Sequence, residues 1–228
     1  MAIRAITLDF GGTLVREDNA VMMEVCRRIA ETAGRLCLPQ DAARILWEKA
    51  HAFYTRDYAD GSFVNLRAVE EEALRQTLRA VGSAADAREL ADLMNASTAK
   101  PELFPDVQLF FMKLPLPVLI LTNGDRAPLE AALTYTNLPS TPILCSEDVS
   151  CYKPRKEIFE AALRILNLPA EDVLHVGDSL VYDVAGAAAA GMKTAWVNRG
   201  RKPLTGDARP DVILSGLAEL KRMMGGHA

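Results

Sequence analysis

Apolar residues fall into two textures along the chain. Short continuous runs stand at 3–8, 117–122, 143–145, 173–176, 194–197 and 212–214. Runs this short, closed by polar residues or glycine, read as strands buried on both faces. Between and before the later runs, residues 106–113, 128–136, 156–166 and 182–190 carry apolar positions at helical spacing. Short strands alternating with helices predict a parallel sheet covered on both sides, an α/β Rossmann-like core.

Residues 18–98 break that alternation. Val21, Val25 and Ile29, then Ile45, Ala52 and Phe53, then Leu66, Val69, Ala73, Leu74 and Leu78 recur with helical periodicity. No strand texture interrupts them, so three or four helices are expected. Prolines at 101 and 105 end the block,. Its place directly after the first strand predicts an inserted helical domain over 16–100, within a core made of 1–15 and 101–228. Residues 185–190, with Gly186 and Gly191, read as a small-residue helix packed closely on the sheet. The tail from Met223 to Ala228 is expected to fray.

Composition narrows the class. The 228 residues are 50% hydrophobic and 25% charged, with 14 Gly and 12 Pro, which excludes a disordered or collagen-like chain. The longest aliphatic run, near Val118–Leu121, is far short of the ~20 residues of a membrane span. A net charge of −4 gives no basic excess for a nucleic-acid face, yet leaves room for one lysine in a cleft to hold a small anion. Cys26, Cys37, Cys145 and Cys151 form no C-x-x-C pair, and Met1–Arg4 lead straight into the first strand. Reduced, buried thiols in a cytoplasmic protein are therefore expected.

Ligands of open parallel sheets bind beyond the carboxyl ends of the strands. Polar residues gather at those ends: Asp9 after the first strand, Thr122-Asn123 after the second, Lys153-Pro154 in the loop after the third, and Gly177-Asp178-Ser179 with Asp183 after the fourth. Singly, each has a plain structural reading as a cap, a turn former or a solvated lysine. Together, in order along one sheet edge, they read as a site.

Those residues resemble the four motifs of the haloacid dehalogenase-like hydrolases: Asp9-Phe-Gly-Gly-Thr13-Leu14, Thr122-Asn123, Lys153-Pro154, and Gly177-Asp178-Ser179 with Asp183. The resemblance runs over nearly the whole chain, and the helical insertion resembles the family's C1 cap. It implies that Asp9 is the nucleophile that bonds covalently to the substrate. It implies a Mg²⁺ ion held by Asp9, Asp178 and the carbonyl of Gly11, with Asp183 ordering metal waters or Lys153 from behind. Thr122 would bind a phosphoryl oxygen beside Asn123, Lys153 would offset the negative charge around Asp9, and Thr13 would brace the first loop at the substrate end. The implied partner is a small anionic, phosphorylated substrate, with no nucleic acid and no membrane.

One departure matters. The usual first motif is Asp-x-Asp-Gly-Thr, and its second Asp, the general acid-base of the phosphatases, is Gly11 here. Such a group is typically worth ~10²–10⁴-fold. Three enzyme branches follow. The first is a phosphatase with a good leaving group or another acid, for which Asp125, His51 and Asp18 are candidates. The second is similar to the 2-haloacid dehalogenases, which also lack the second acid; Leu46-Trp47-Glu48-Lys49 through Tyr54 is similar to their cap, but Glu48 stands where an Arg is expected. The third is similar to phosphonoacetaldehyde hydrolase, with Lys49 as Schiff-base lysine. A fourth, non-enzyme branch is a phosphometabolite-binding protein with little turnover. Retention of Asp178, which the dehalogenases lose, favours phosphorus chemistry. Trp47, Phe53, Tyr54 and Tyr58 either line the cleft or form the core of the helical domain. Arg126 either meets a substrate anion or starts a solvated helix, Asp125 is expected to cap that helix with Pro128 in its first turn, and His175 reads as a satisfied buried histidine.

Overall fold

The computed structural model describes residues 3–56, 58, 60–112 and 114–225. Six parallel strands form one sheet: β1 (Ala5–Leu8), β2 (Val118–Thr122), β3 (Ile143–Cys145), β4 (Val173–Gly177), β5 (Lys193–Val197) and β6 (Val212–Leu214), in the order β3-β2-β1-β4-β5-β6. This is the expected Rossmann-like α/β sheet. Strand order reverses direction at β1 and β4, and that switch point opens a crevice at their carboxyl ends.

Period-two alternation sorts the strand residues between two cores. Ile6, Leu8, Ile120, Leu174 and Val176 point to the face covered by α5 (Val107–Phe111), α6 (Arg126–Thr136) and α10 (Leu217–Gly225). Ala5, Leu119, Leu121 and Val173 point to the other, covered by α8 (Lys156–Leu166) and α9 (Gly186–Ala189). Burial of each large aliphatic side chain in these layers contributes roughly 1.5–3 kcal/mol.

Four helices follow β1: α1 (Asn19–Glu31), α2 (Pro39–Tyr54), α3 (Leu66–Val81) and α4 (Ala87–Thr98). Asp18, Asn65 and Asp86 cap α1, α3 and α4, each accepting from a backbone N–H three residues on,. The apolar stripes close on a core of their own around Val25, Ile29, Leu46, Leu74 and Leu90. The two chain crossings into this block are zipped together: Val15 bridges Leu103, Phe104 N–H donates to Leu14 O at 3.1 Å, and Arg16 N–H donates to Glu102 O at 2.8 Å.

Several boundaries differ from expectation. The helix expected over 182–190 is a π-helical turn, Leu180–Ala185, running into α9. A short α7 (Ser146–Val149) follows β3, and α6 begins two residues early, at Arg126. The expected helix 106–113 ends at Phe111 in α5, and Lys113 lies outside the described residues. Of the tail expected to fray, residues 223–225 complete α10 while 226–228, like Met1 and Ala2, lie outside them. All four cysteines are free; Cys26, Cys145 and Cys151 are buried and Cys37 is partly so. No described helix is long and apolar enough to cross a membrane.

Candidate active site

The alternation that sends Ala5 and Val173 into one core carries polar residues further along the same face. Thr7 and His175 are register partners across β1 and β4, and Asp9 follows Thr7 by one repeat. The result is a buried polar column. His175 Nδ1 lies 2.8 Å from Thr7 Oγ1, and its Nε2 lies 3.2 Å from Asp183 Oδ1. Burial pulls the imidazole pKa down, so the ring is neutral near pH 7. An ionised carboxylate only accepts, so Nε2–H donates to Asp183 and Thr7 O–H donates to Nδ1. The reading of His175 as a satisfied buried histidine holds.

Lys153 enters this column from the segment after α7. Its ammonium donates to Asp9 Oδ1 at 2.6 Å and to Asp183 Oδ1 at 2.5 Å, with the lysine only 2% exposed. Burial opposes an ammonium here, but the two carboxylates outweigh it and hold the Lys153 pKa above its ordinary value. For Asp183 burial works against ionisation too. Lys153 and His175 overcome it and hold its pKa well below the usual range. Asp183 Oδ2 also accepts from Ser179 N–H at 2.9 Å, so both of its oxygens are engaged. Asn123 fixes the lysine's backbone, donating to Lys153 O at 3.1 Å and accepting from Lys153 N–H at 2.8 Å. Expected as a substrate ligand, Asn123 lines the cavity while one N–H and the oxygen of its amide hold this bracket.

Asp178 is the odd member. Its carboxylate accepts no hydrogen bond among the described residues, while its carbonyl accepts from Trp196 Nε1 at 2.8 Å. Burial first, and the charges of Asp9 and Asp183 next, push its pKa up to about 8. Burial also raises Asp9, with Lys153 pulling the other way. Ligand oxygens of Asp9, Asp178 and Asp183 all lie within 4.8 Å of one another. An all-oxygen carboxylate set with one unpartnered member fits a hard divalent cation such as Mg²⁺. Asp9 and Asp178 are the free donors, since Lys153, His175 and Ser179 already occupy Asp183. Gly12 makes the close approach possible. Its φ is +69°, and a Cβ there would sit 2.6 Å from the Asp178 carboxyl, so no other residue fits without displacing that group.

Beside this cluster lies a cavity of about 690 Å³ whose lining includes Gly11, Thr122, Trp47, Glu70 and Lys100. The Thr122 hydroxyl makes only a long, 3.4 Å contact to Asn123 O, leaving it available to a ligand. Thr13 is fully buried beneath the loop with its hydroxyl unpaired, and its carbonyl accepts from Arg199 Nη2 at 3.0 Å. It sits off the cavity wall, under the loop it was expected to brace. A Cβ at Gly11 would meet nothing within 4 Å.

The three candidates for the missing acid are otherwise employed. Asp18 caps α1, and His51 shares a 2.7 Å hydrogen bond with the Tyr182 hydroxyl while stacking on Trp47. Asp125 does not cap α6 with its side chain. It reaches across to α3 and accepts from Leu66 N–H at 2.7 Å and Arg67 N–H at 2.9 Å. The reason is geometric: two unpaired N–H groups of a neighbouring helix face the carboxylate together. Arg126 binds Asp148 at 2.6 Å rather than a substrate, and Lys49 is not on the cavity wall.

The aromatics form neither the cleft lining alone nor the helical core. Tyr54, Tyr58 and Phe63 pack edge-on or tilted around Tyr152, the residue before Lys153, with centroids 5.1–6.2 Å apart, and the Tyr152 hydroxyl donates to Val64 O at 2.9 Å. Sequence reasoning missed Tyr152 and Glu70. An aromatic beside the motif lysine and an acid facing inward on α3 were the available signals.

Comparison with known proteins agrees with this architecture. A profile of haloacid dehalogenase-like hydrolases matches residues 3–191. The chain is 31% identical over 156 residues to a phosphoserine phosphatase of Thermus thermophilus, spanning 66% of this chain and 63%, under two thirds, of that protein. It is 26% identical over 230 residues to an (S)-2-haloacid dehalogenase of Pseudomonas putida, spanning 97% of this chain and 96% of that one. The solved L-2-haloacid dehalogenase from Xanthobacter autotrophicus shares the fold, with a TM-score of 0.76 at 23% identity over 99% of this chain and 100% of that one. The chain belongs to the haloacid dehalogenase-like hydrolases.

Proposed function

We propose that the chain is a Mg²⁺-dependent, phosphatase-type hydrolase of a small phosphorylated metabolite, working through an aspartyl-phosphate on Asp9. In this reading residues 16–100 serve as the cap over a core of 1–15 and 101–228. The observation that carries it is the part-buried Asp178 carboxylate beside Asp9, which has no hydrogen-bond partner among the described residues. Without a cation that neighbour only makes Asp9 harder to ionise, which is a poor arrangement for metal-free displacement of a halide.

Mg²⁺ bound by Asp9, Asp178 and the Gly11 carbonyl would neutralise charge on the group being transferred. The chain's own residues do the rest. Lys153 aims the Asp9 carboxylate and opposes the rise that burial imposes on its pKa, and Asp183, fixed by His175 and Ser179, keeps Lys153 in place. The Thr122 hydroxyl is free to donate to a phosphoryl oxygen. Among the basic residues on the cavity wall, Arg16 and Arg67 are paired with Glu102 and Asp92, while Lys100 forms no ion pair among the described residues and is available to an anion.

The expected outcome is Mg²⁺-dependent phosphate release from an aryl phosphate, lost on chelation and reduced to background in Asp9→Asn. The dehalogenase reading has its own support in the P. putida relative, aligned over 97% of this chain. Metal-independent chloride release from 2-chloropropionate would establish it instead. Tight phosphate-ester binding without turnover would favour a binding protein. With Lys49 off the cavity wall, the phosphonate branch has the least support.

A further inference from the structure

We propose that Glu70, on α3, supplies the proton that position 11 cannot. As Asp9 attacks and the P–O bond to the leaving group breaks, the Glu70 carboxyl gives its proton to the departing oxygen. The resulting carboxylate then accepts a proton from the water that attacks phosphorus, the Asp9–phosphorus bond breaks, and inorganic phosphate leaves with Glu70 reprotonated. The inference rests on the phosphoryl-transfer reading and deepens it.

Glu70, Gly11 and Thr122 line the same cavity. The volume next to Gly11 is open, so a leaving group can lie where a side chain at position 11 would otherwise stand. The other acids on the wall are committed to partners or, in the case of Glu17, solvent-exposed on the Asp178 side of the site. Asp18 caps α1, Asp125 caps α3, Glu102 pairs with Arg16, and Glu17 is exposed. Glu70 alone is part-buried and makes no hydrogen bond or ion pair among the described residues.

Its surroundings suit the task. Burial first, then the Asp125 carboxylate from the β2–α6 loop, raise its pKa to about 7, against the lowering effect of Arg67 on its own helix. Tyr54 from α2 and Tyr152 from the segment before α8 face it as neutral phenols. A carboxylic acid half-protonated near neutrality can both give and take a proton in one turnover.

The test uses the full chain with Mg²⁺ and two substrates, an aryl phosphate whose leaving group needs no proton and an alkyl phosphate whose leaving group does. Glu70→Gln keeps shape and polarity but carries no transferable proton. We expect kcat on the alkyl phosphate to fall ~10²–10⁴-fold, kcat on the aryl phosphate to fall less than ~10-fold, and the decline of alkyl-phosphate turnover above about pH 7 to disappear. Retained aryl turnover also shows that the variant folds. Adding Gly11→Asp to Glu70→Gln restores the alkyl substrate. Equal losses on both substrates, no loss on either, or no rescue overturns the role of Glu70. Wild-type protein that releases no phosphate, or an Asp9→Asn variant as active as wild type, overturns the underlying reading and the Glu70 role with it.

Discussion

The charge cluster on the sheet and the cavity wall on the helical block are built to opposite standards. Around the sheet edge, Lys153, Asp183 and His175 each hold two or more partners from different strands and loops, and Thr7 anchors His175 from β1, so the three are over-determined. On the block, Glu70 has no hydrogen-bond or ion-pair partner among the described residues, and Trp47 is 55% exposed. Between the two, contact is made by a few discrete links: Asp125 on the α3 N–H groups, His51 with Tyr182, and Tyr152 among the aromatics. The contrast teaches that the proposed bond-making groups are fixed by the sheet, while the facing wall of the cavity is left under-committed.

The largest expected effect breaks the fixed side. Lys153→Met leaves Asp9 and Asp183 buried without their counter-charge and should cost ~3–5 kcal/mol in urea unfolding. Asp183 loses what holds its pKa down, so its stabilising contribution, present in wild type above about pH 4, is lost. A variant as stable as wild type would erase the contrast.

A smaller effect comes from Asp178. A carboxyl raised to about 8 in the folded state, against ~4 unfolded, binds its proton more tightly when folded. Stability therefore falls as pH rises through that window, by at most ~1.4 kcal/mol per pH unit. The metal-free protein should melt lower at about pH 8 than at about pH 6. Saturating Mg²⁺ or Asp178→Asn should flatten the slope, with Glu70 leaving a residue of it. A slope unchanged by both would remove Asp178 as its origin.

The smallest effect tests the links. Asp125→Ala strips the acceptor from two N–H groups of α3 and should cost ~1–2 kcal/mol. Because Asp125 ties the block and not the proposed nucleophile, KM for the aryl phosphate, whose leaving group does not need the Glu70 proton, should rise more than kcat falls. A kcat loss without a KM change would place Asp125 on the fixed side instead.

Much of this was legible in the chain itself. Six apolar runs gave the strands because each is buried on both faces, and the motif residues meet because a parallel sheet brings all its carboxyl ends to one edge. Other roles depend on neighbours that local pattern does not carry. Asp125 sits at the head of α6, yet its carboxylate serves α3, 58 and 59 positions away. Asn123 shares a motif with Thr122, but only the tertiary structure shows its amide spent on Lys153. The π-helical turn at 180–185 has helical spacing and no sequence mark distinguishing it from an α-helix.

The adjacency of Tyr152 and Lys153 has a mechanical meaning. One peptide unit, ~3.8 Å between Cα atoms, separates a ring wedged among Tyr54, Tyr58 and Phe63 from the lysine whose ammonium holds the Asp9 carboxylate. Any swing of the helices away from the sheet must either unseat that ring or tug on the very stretch that sets Asp9. Opening the enzyme and disarming it are thereby geared to the same short lever.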